Sequence, residues 1–154
     1  MPSNPADAKG LLKTAIREDN LVLFLENKGL YSVQGDVPEG DCTVPLGEAE
    51  VRRRGSDLTL VALGAMVPLA LSAADRMAEE GMDVEVIDLR TVAPLDRETI
   101  LTSVRKTHRA AVLHEAARIG GVGAEIGMMI QEEALPALRT FDMIRRASSN
   151  CRRE

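Results

Sequence analysis

Charged side chains at the end of a predicted strand are the first candidates for chemistry in this chain of 154 residues. Residues 84–89, which are mostly apolar, predict a buried strand, and Asp88 and Arg90 should point to one face, where they can form a pair. Pro94 cannot continue the strand, and Asp96 is suited to cap the helix that follows. Ligands and partners of open α/β sheets gather at the carboxyl ends of strands. We therefore expect the function of this domain to reside near Asp88.

Two further polar residues follow a second predicted strand, at residues 110–113. His114 and Glu115 should therefore lie at the same edge of the sheet as Asp88 and Arg90. Neighbouring residues on a strand point to opposite faces, so His114 and Glu115 cannot easily form a catalytic dyad. Two interpretations of His114 stay open: a catalytic histidine, or a hydrogen-bonded histidine that fixes a loop or a subunit contact. We favour the second.

A glycine cluster formed by Gly120, Gly121 and Gly123 comes next, at the start of a predicted helix. Backbone N–H groups at such a helix start can hold an anion. A dinucleotide-binding fingerprint, however, places its glycines directly after the strand, and here several residues intervene. We favour a tight turn and close helix packing over phosphate binding. Gly64 also precedes a helix, but no Lys or Ser/Thr is placed as in a P-loop.

The elements that position these residues alternate between strands and helices of about ten residues, which is typical of βαβ units and a mainly parallel sheet. Right-handed crossovers would place helices on both faces. We predict strands at residues 44–53 (an edge strand), 58–63, 84–89, 110–113 and 141–145, with helices at 67–80, 97–105 and 122–134.

The amino-terminal part follows a different pattern. Residues 7–17 predict an amphipathic helix capped by Asp7, residues 21–25 a strand covered on both faces, and residues 27–41 a linker. This helix and this strand alone cannot cover both faces of the strand, so the two elements look like the end of another domain. At the other terminus, residues 147–154 predict a polar, frayed tail.

Composition excludes several classes of function. Aromatic residues make up 2% of the chain and its net charge is -5, which argues against binding single-stranded nucleic acid. The arginine cluster Arg52, Arg53 and Arg54 suits a solvated strand edge better than a phosphate or partner patch. Cys42 and Cys151 are expected to be free thiols. No apolar stretch approaches the roughly 20 residues that cross a bilayer, so we expect a cytosolic protein without membrane contact.

Several segments that are weak signals alone become specific when taken in order. Together they resemble the beta subunit of the thiamine-diphosphate-dependent 2-oxo acid dehydrogenase E1 component, from about Pro5 to Leu138. The segments are FLENK at 24–28, VPLGEA at 44–49, VIDLRTVAPLD at 86–96 and HEAARIGGVGAEI at 114–126. The resemblance implies a transketolase carboxyl-terminal domain: an α/β, three-layer αβα sandwich whose mainly parallel sheet has one antiparallel edge strand.

The resemblance also implies a division of the chain. Residues 1–26 correspond to the end of a pyrimidine-binding transketolase-type domain, 27–43 to a linker, 44–146 to the transketolase carboxyl-terminal domain and 147–154 to a polar tail. Residues 140–154 look unlike the family's own carboxyl end, a region that helps to dock the E2 acyltransferase.

The intact alpha/beta assembly of such enzymes oxidatively decarboxylates a 2-oxo acid on thiamine diphosphate and acylates lipoyl-E2. None of the family's catalytic, thiamine-diphosphate or Mg²⁺ residues maps onto this chain. The resemblance therefore implies a fragment that is inactive alone, binds no cofactor or metal and serves subunit assembly. Its partners would be a second beta subunit, the E1 alpha subunit and E2. Candidate interface or strand-end residues are Asp88, Arg90, His114, Glu115, Gly120, Gly121, Gly123 and Glu125, with Asp88 and Arg90 as a pair that shapes the strand end.

A second hypothesis belongs to a different class of protein. The chain would be a stand-alone doubly wound domain that binds an anionic or regulatory ligand at the strand ends near Gly64, Arg90 and Gly121. An ordered anion at those glycines would support it. The residues do not distinguish pyruvate, branched-chain 2-oxo acid and acetoin as substrates of the assembly that the first hypothesis implies.

Overall fold

The computed structural model describes residues 1–117 and 119–145, and most of the predicted elements are present. The helices are α1 (Pro5–Arg17), α2 (Met66–Glu79), α3 (Arg97–Thr107) and α4 (Val122–Ala134), with a short 3₁₀ helix at Lys28–Leu30. The strands are β1 (Glu50–Arg53), β2 (Leu58–Ala62), β3 (Val84–Asp88), β4 (Arg109–His114) and β5 (Thr140–Arg145). The predicted tail at residues 147–154, with Cys151, lies outside the described residues.

The five strands form one sheet in the order β1-β3-β2-β4-β5. β2 runs parallel to both β3 and β4, and β4 runs parallel to β5. Among the strands of residues 1–117 and 119–145, only β1 is antiparallel, and it pairs with β3 at the edge of the sheet. The predicted mainly parallel sheet with one antiparallel edge strand is confirmed.

Side chains of β2 point alternately into two apolar cores, one on each face of the sheet. Leu60 packs in the core that contains Met66 of α2. Val61 packs in the opposite core, which contains Ile100 of α3 and Ile126 of α4. Helices therefore cover both faces, as the three-layer prediction requires, and the carboxyl ends of β2, β3 and β4 are left as one edge.

The predicted strand at residues 21–25 is wrong. This segment has no regular secondary structure, and Leu21, Leu23 and Leu25 are exposed while Val22 and Phe24 are half-buried. A strand covered on both faces needs neighbouring strands and two covering layers, and the described residues supply neither next to it. The expectation that the amino-terminal elements cannot bury such a strand agrees with this exposure.

Helix α1 begins two residues earlier than predicted, and its cap is a different residue. The side-chain oxygen of Asn4 accepts a hydrogen bond from the backbone N–H of Asp7 at 2.9 Å, so Asn4 is the N-cap. Asp7 is buried instead, on the side of α1 that faces the sheet. The helix was correctly located, but its first acidic residue has another role.

The arginine cluster lies at the sheet edge, as favoured from the sequence. Arg53 lies 3.6 Å from the Asp83 carboxylate, and Arg52 lies 3.1 Å from that of Glu50. These acidic partners leave little free positive charge for a phosphate on β1. Within residues 1–117 and 119–145, no helix combines the length and apolar character needed to cross a membrane, and Cys42 is a free thiol.

Candidate functional site at the carboxyl edge of the sheet

Asp88 ends β3 and is fully buried. One carboxylate oxygen accepts a hydrogen bond from the backbone N–H of Arg90 at 3.0 Å, and the other accepts one from the Ser3 hydroxyl. Burial raises the pKa of Asp88, an effect that its hydrogen bonds with Ser3 and Arg90 only partly offset. Asp88 thus holds the amino-terminal arm (residues 1–17, which end with α1) and the turn after β3 in place.

Arg90 does not form the predicted side-chain pair with Asp88. Its guanidinium lies 2.7 Å from the carboxylate of Asp7 and 2.8 Å from that of Glu50. The backbone of Arg90 is left-handed, with a φ of 57°. Since this turn ends the regular alternation of the strand, Arg90 reaches α1 and β1 with its side chain and Asp88 only with its backbone. The predicted side-chain pair between Asp88 and Arg90 is therefore wrong, although both residues do shape the strand end.

The loop between β3 and α3 forms hydrogen bonds with residues 47–49, the segment that leads into β1. Asp96 caps α3 as predicted, accepting the N–H of Thr99 at 3.0 Å, and also accepts the N–H of Ala49 at 2.9 Å. The Thr91 hydroxyl accepts the N–H of Gly47 at 3.0 Å and donates to the carbonyl of Pro94 at 2.8 Å. Although burial acts to raise the pKa of Asp96, the hydrogen bonds from Thr99 and Ala49 outweigh it and lower that pKa.

His114 ends β4 and is buried against the first turn of α4. A Cβ added at Gly123 would lie 2.5 Å from its Nε2, and one added at Gly121 would lie 2.9 Å from its Cε1. Neither ring nitrogen has a hydrogen-bond partner among the described residues. The favoured packing role of Gly121 and Gly123 is confirmed, since only glycine leaves room for the ring. The predicted hydrogen bond of His114 is not formed within the described chain, because the ring faces glycines.

The carboxyl ends of β3 and β4 flank that of β2, so Asp88 and His114 lie at one edge but are separated by a strand. A cavity of about 220 Å³ adjoins His114 and is lined in part by Glu115, Gly120 and Gly121. Glu115 accepts a hydrogen bond from the side chain of Asn27 at 2.9 Å. Glu125 is exposed in the first turn of α4. The predicted residues therefore form two groups, one around Asp88 and one around His114.

Three residues of the first group were not predicted as site residues: Ser3, Asp7 and Glu50. Each lies at least 40 positions before the residue it contacts at the end of β3, and no local pattern in the sequence links them. A charged residue on the apolar face of α1 is the one signal that could have singled out Asp7.

Two arguments weigh against the stand-alone ligand-binding hypothesis. The guanidinium of Arg90 is already neutralised by two carboxylates, so it offers no free cation to an anion. Among the described residues, a Cβ added at Gly64 would have the terminal methyl group of Met1 within 4 Å and no charged group. Among residues 1–117 and 119–145, no three His, Cys, Asp or Glu side chains come together as a metal site.

The fold and its strand-end contacts define a class: a three-layer α/β domain whose sheet edge is held together by internal polar contacts. The chain belongs to the transketolase, C-terminal domain family, whose model matches residues 47–144. A solved structure described as a split gene transketolase, inactive beta4 tetramer, matches with a TM-score of 0.64 and 30% identity. That match covers 74% of this chain and 37% of the other chain.

Curated relatives point to one branch of this family. The pyruvate dehydrogenase E1 component subunit beta of Bacillus subtilis is 48% identical over 139 residues, which are 90% of this chain and 43% of that protein. The acetoin:2,6-dichlorophenolindophenol oxidoreductase subunit beta of Cupriavidus necator is 44% identical over 138 residues, 90% of this chain and 41% of that protein. The resemblance to E1 beta subunits is confirmed, and the chain spans less than half the length of these relatives. The stand-alone alternative is not favoured.

Proposed function

We propose that this chain supplies the carboxyl-terminal part of an E1 beta subunit of a 2-oxo acid dehydrogenase, and that its own role is subunit assembly. The 48% identity to the Bacillus subtilis beta subunit over 90% of the chain carries this proposal. In the proposed division, residues 1–26 end a preceding domain, 27–43 form the linker and 44–146 form the domain proper.

The proposed contact surface for another beta subunit is the loop after β4 together with α4. Three apolar side chains of this part of the chain are exposed: Ile119 in the loop after β4, Met128 in α4 and Leu135 directly after α4. Exposed apolar side chains of this kind are candidates for a protein interface. The similar split gene transketolase is an inactive beta4 tetramer, which supports assembly through beta subunits. The E1 alpha subunit and E2 are proposed as partners in the complete assembly.

A chimeric beta subunit tests this proposal. Residues 47–144 of this chain would replace the corresponding part of the Bacillus subtilis beta subunit. We expect the chimera to assemble with its alpha subunit and to keep pyruvate-dependent activity. A matched chimera carrying Met128→Lys should assemble more weakly, since a lysine would be placed in the contact surface. A well-folded chimera that does not bind the alpha subunit or a second beta subunit would contradict the proposal.

Thiamine diphosphate with Mg²⁺ is the cofactor that the resemblance implies for the complete assembly, and the residues described here do not fit it. The buried carboxylates at the strand edge are already engaged: Asp88 by Ser3 and the Arg90 N–H, Asp7 by the Arg90 guanidinium. We therefore assign no catalytic step to this chain. Isothermal titration calorimetry with thiamine diphosphate and Mg²⁺ should detect no binding to the 154-residue chain, and tight binding that requires Mg²⁺ would contradict this assignment.

A further inference from the structure

His114 is a buried side chain whose hydrogen-bonding groups are unused. Its ring is 2% exposed, and neither Nδ1 nor Nε2 has a partner among the described residues. In either neutral form of a histidine ring, one nitrogen donates a hydrogen bond and the other accepts one. Buried polar side chains are nearly always bonded to protein, water or a ligand, because an unpaired group is destabilising. The ring is therefore suited to a partner from outside the chain.

The ring adjoins the first turn of α4, which has no side-chain cap. Gly121 is the N-cap of this 13-residue helix, and no side chain of residues 1–117 and 119–145 accepts its first N–H groups. Free N–H groups and the helix dipole favour a negative charge at this end. Since Nε2 of His114 would lie 2.5 Å from a Cβ on Gly123, the ring and the helix start are close enough to hold one small group together.

Both features border the same cavity. His114 and Gly121 line the cavity of about 220 Å³ at the carboxyl edge of the sheet. It is smaller than the roughly 300–1,000 Å³ of a pocket for a drug-sized molecule, so it suits a ligand of a few heavy atoms. Most of its other lining side chains are apolar: Met1, Leu63, Val92, Ala116 and Val122. The cavity thus combines one polar end with an apolar wall.

We infer that this cavity binds a small aliphatic carboxylate, with the carboxylate group between His114 and the start of α4. One carboxylate oxygen accepts the N–H of the ring, and the other accepts the free N–H groups of the helix. Leu63 and Val92 contact the hydrocarbon part of the ligand. Inorganic phosphate suits the cavity less well, because its remaining oxygens would face apolar side chains that donate no hydrogen bond.

Glu115 limits the charge of the ligand. It also lines the cavity, but it is exposed and accepts a hydrogen bond from Asn27 at 2.9 Å. Its negative charge repels an anion, although water and salt screen the repulsion. A ligand with a single negative charge is therefore favoured over a divalent one.

Nuclear magnetic resonance of the histidine rings tests the inference, since His108 and His114 are the only two histidines of the sequence. Propionate is the probe. We expect saturable shifts of the His114 ring signals, while those of His108, whose Nδ1 lies 2.9 Å from the Ala137 carbonyl oxygen, stay unchanged. Propionamide, an uncharged molecule of the same shape, should bind at least about tenfold more weakly. Inorganic phosphate should cause no saturable shift. Absence of saturation by propionate, or an equal response to propionamide or phosphate, would overturn the inference.

Substitutions at exposed positions locate the ligand without altering the ring. Val92 lines the cavity and is 39% exposed, so Val92→Asp should weaken propionate binding by about tenfold through repulsion. Val37→Asp, at a valine of similar exposure that does not line the cavity, is the matched control and should leave binding unchanged. Glu115→Gln removes a like charge and should tighten binding by about twofold to fivefold. Unchanged affinity in Val92→Asp, or weaker binding in Glu115→Gln, would contradict the proposed position of the ligand.

The carboxylate site adjoins the proposed assembly surface but does not depend on it. Met128 belongs to that surface and does not line the cavity, so Met128→Lys should weaken assembly and leave propionate affinity unchanged. The chimeric beta subunit contains residues 47–144, and with them His114, Gly121 and Val92, so it should also bind propionate. Binding to the 154-residue chain that is lost in the folded chimera would assign the cavity to the free amino terminus at Met1 and overturn the inference.

Discussion

At the scale of single residues, Arg90 connects three parts of the chain that are far apart in sequence. Its guanidinium binds Asp7 of α1 and Glu50 of β1, and its backbone N–H binds Asp88 at the end of β3. Breaking a buried ion pair on one side leaves a charge without compensation, which costs more than the pair gains over apolar packing. The cluster is therefore expected to determine the position of α1 on the sheet.

Double-mutant cycles should show stronger coupling of Arg90 with Asp7 than with Asp88, because of these two carboxylates only that of Asp7 contacts the guanidinium. Asp7→Ala is expected to lower the free energy of unfolding by about 2–3 kcal/mol, measured by urea denaturation. Asp41→Ala is the control: Asp41 also contacts two basic side chains, Lys13 and Arg17, but it is exposed, so little change is expected. Equal coupling of Arg90 to Asp7 and Asp88 would contradict this assignment.

The raised pKa of Asp88 predicts a pH dependence of stability. Because the folded protein holds this proton more tightly than the unfolded chain, Asp88 contributes stability that is complete below its unfolded pKa of 3.8 and is lost as pH rises through its higher folded pKa. From neutral pH down to about pH 4, the unmodified chain should therefore gain stability relative to Asp88→Asn. Urea denaturation across this range measures the difference. A difference that does not vary with pH would show that Asp88 has an ordinary pKa.

At the scale of elements, β4 and α4 approach closely because two glycines face a histidine. His114 fills the space beside Gly121 and Gly123, and the Met143 sulfur of β5 would also lie 2.8 Å from a Cβ added at Gly123. A helix normally gains about 1 kcal/mol when glycine is replaced by alanine. At Gly123 the steric conflict should outweigh that gain.

Gly123→Ala is expected to destabilise the chain by about 1–3 kcal/mol, because the added methyl group overpacks the contact with His114. The same substitution in a His114→Ala background should cost much less, since the ring is no longer present. Thermal or chemical denaturation of the four variants measures this non-additivity. Additive effects of the two substitutions would contradict the packing explanation.

At the scale of the whole molecule, stability should come from the two cores and not from the amino-terminal leucines. Ile100 is fully buried between α3 and the sheet, whereas Leu21 is almost fully exposed. Ile100→Ala is expected to cost about 2–5 kcal/mol in unfolding free energy. Leu21→Ala should change it by less than about 0.5 kcal/mol. Denaturation at low protein concentration, where association between copies contributes least, measures both, and a large loss for Leu21→Ala would contradict the exposed position.

Local periodicity was enough to predict most of the sheet. The strands β2 and β3 are short, mostly apolar segments bounded by turn residues, and Asp96 carries its own capping signal. Residues 21–25 carry the same apolar signal as β2 but lack neighbours to pair with, so propensity alone predicted a strand that does not form. Strand formation depends on partners, which a local pattern does not contain.

The atoms of the candidate site were less predictable. The left-handed backbone at Arg90 overrides the alternation that predicted a pair with Asp88, and no turn signal such as Gly or Asn marks that position. The partners of Arg90 come from α1 and β1, at a distance in sequence that no spacing rule covers. Packing of Gly121 and Gly123 was predictable because a glycine cluster at a helix start has few explanations.

The contacts of the amino-terminal arm have a consequence for the order of folding. Ser3 and Asp88 are 85 positions apart, so their hydrogen bond closes one of the longest loops in the chain. Long loops close late because chain entropy opposes them until nearby structure is in place. During synthesis, α1 leaves the ribosome well before β3 exists, and Asp7 must stay hydrated until Arg90 arrives. We therefore expect α1 to dock last, after the parallel strands have paired, so that newly made chains pass through a state with a formed sheet and a detached arm.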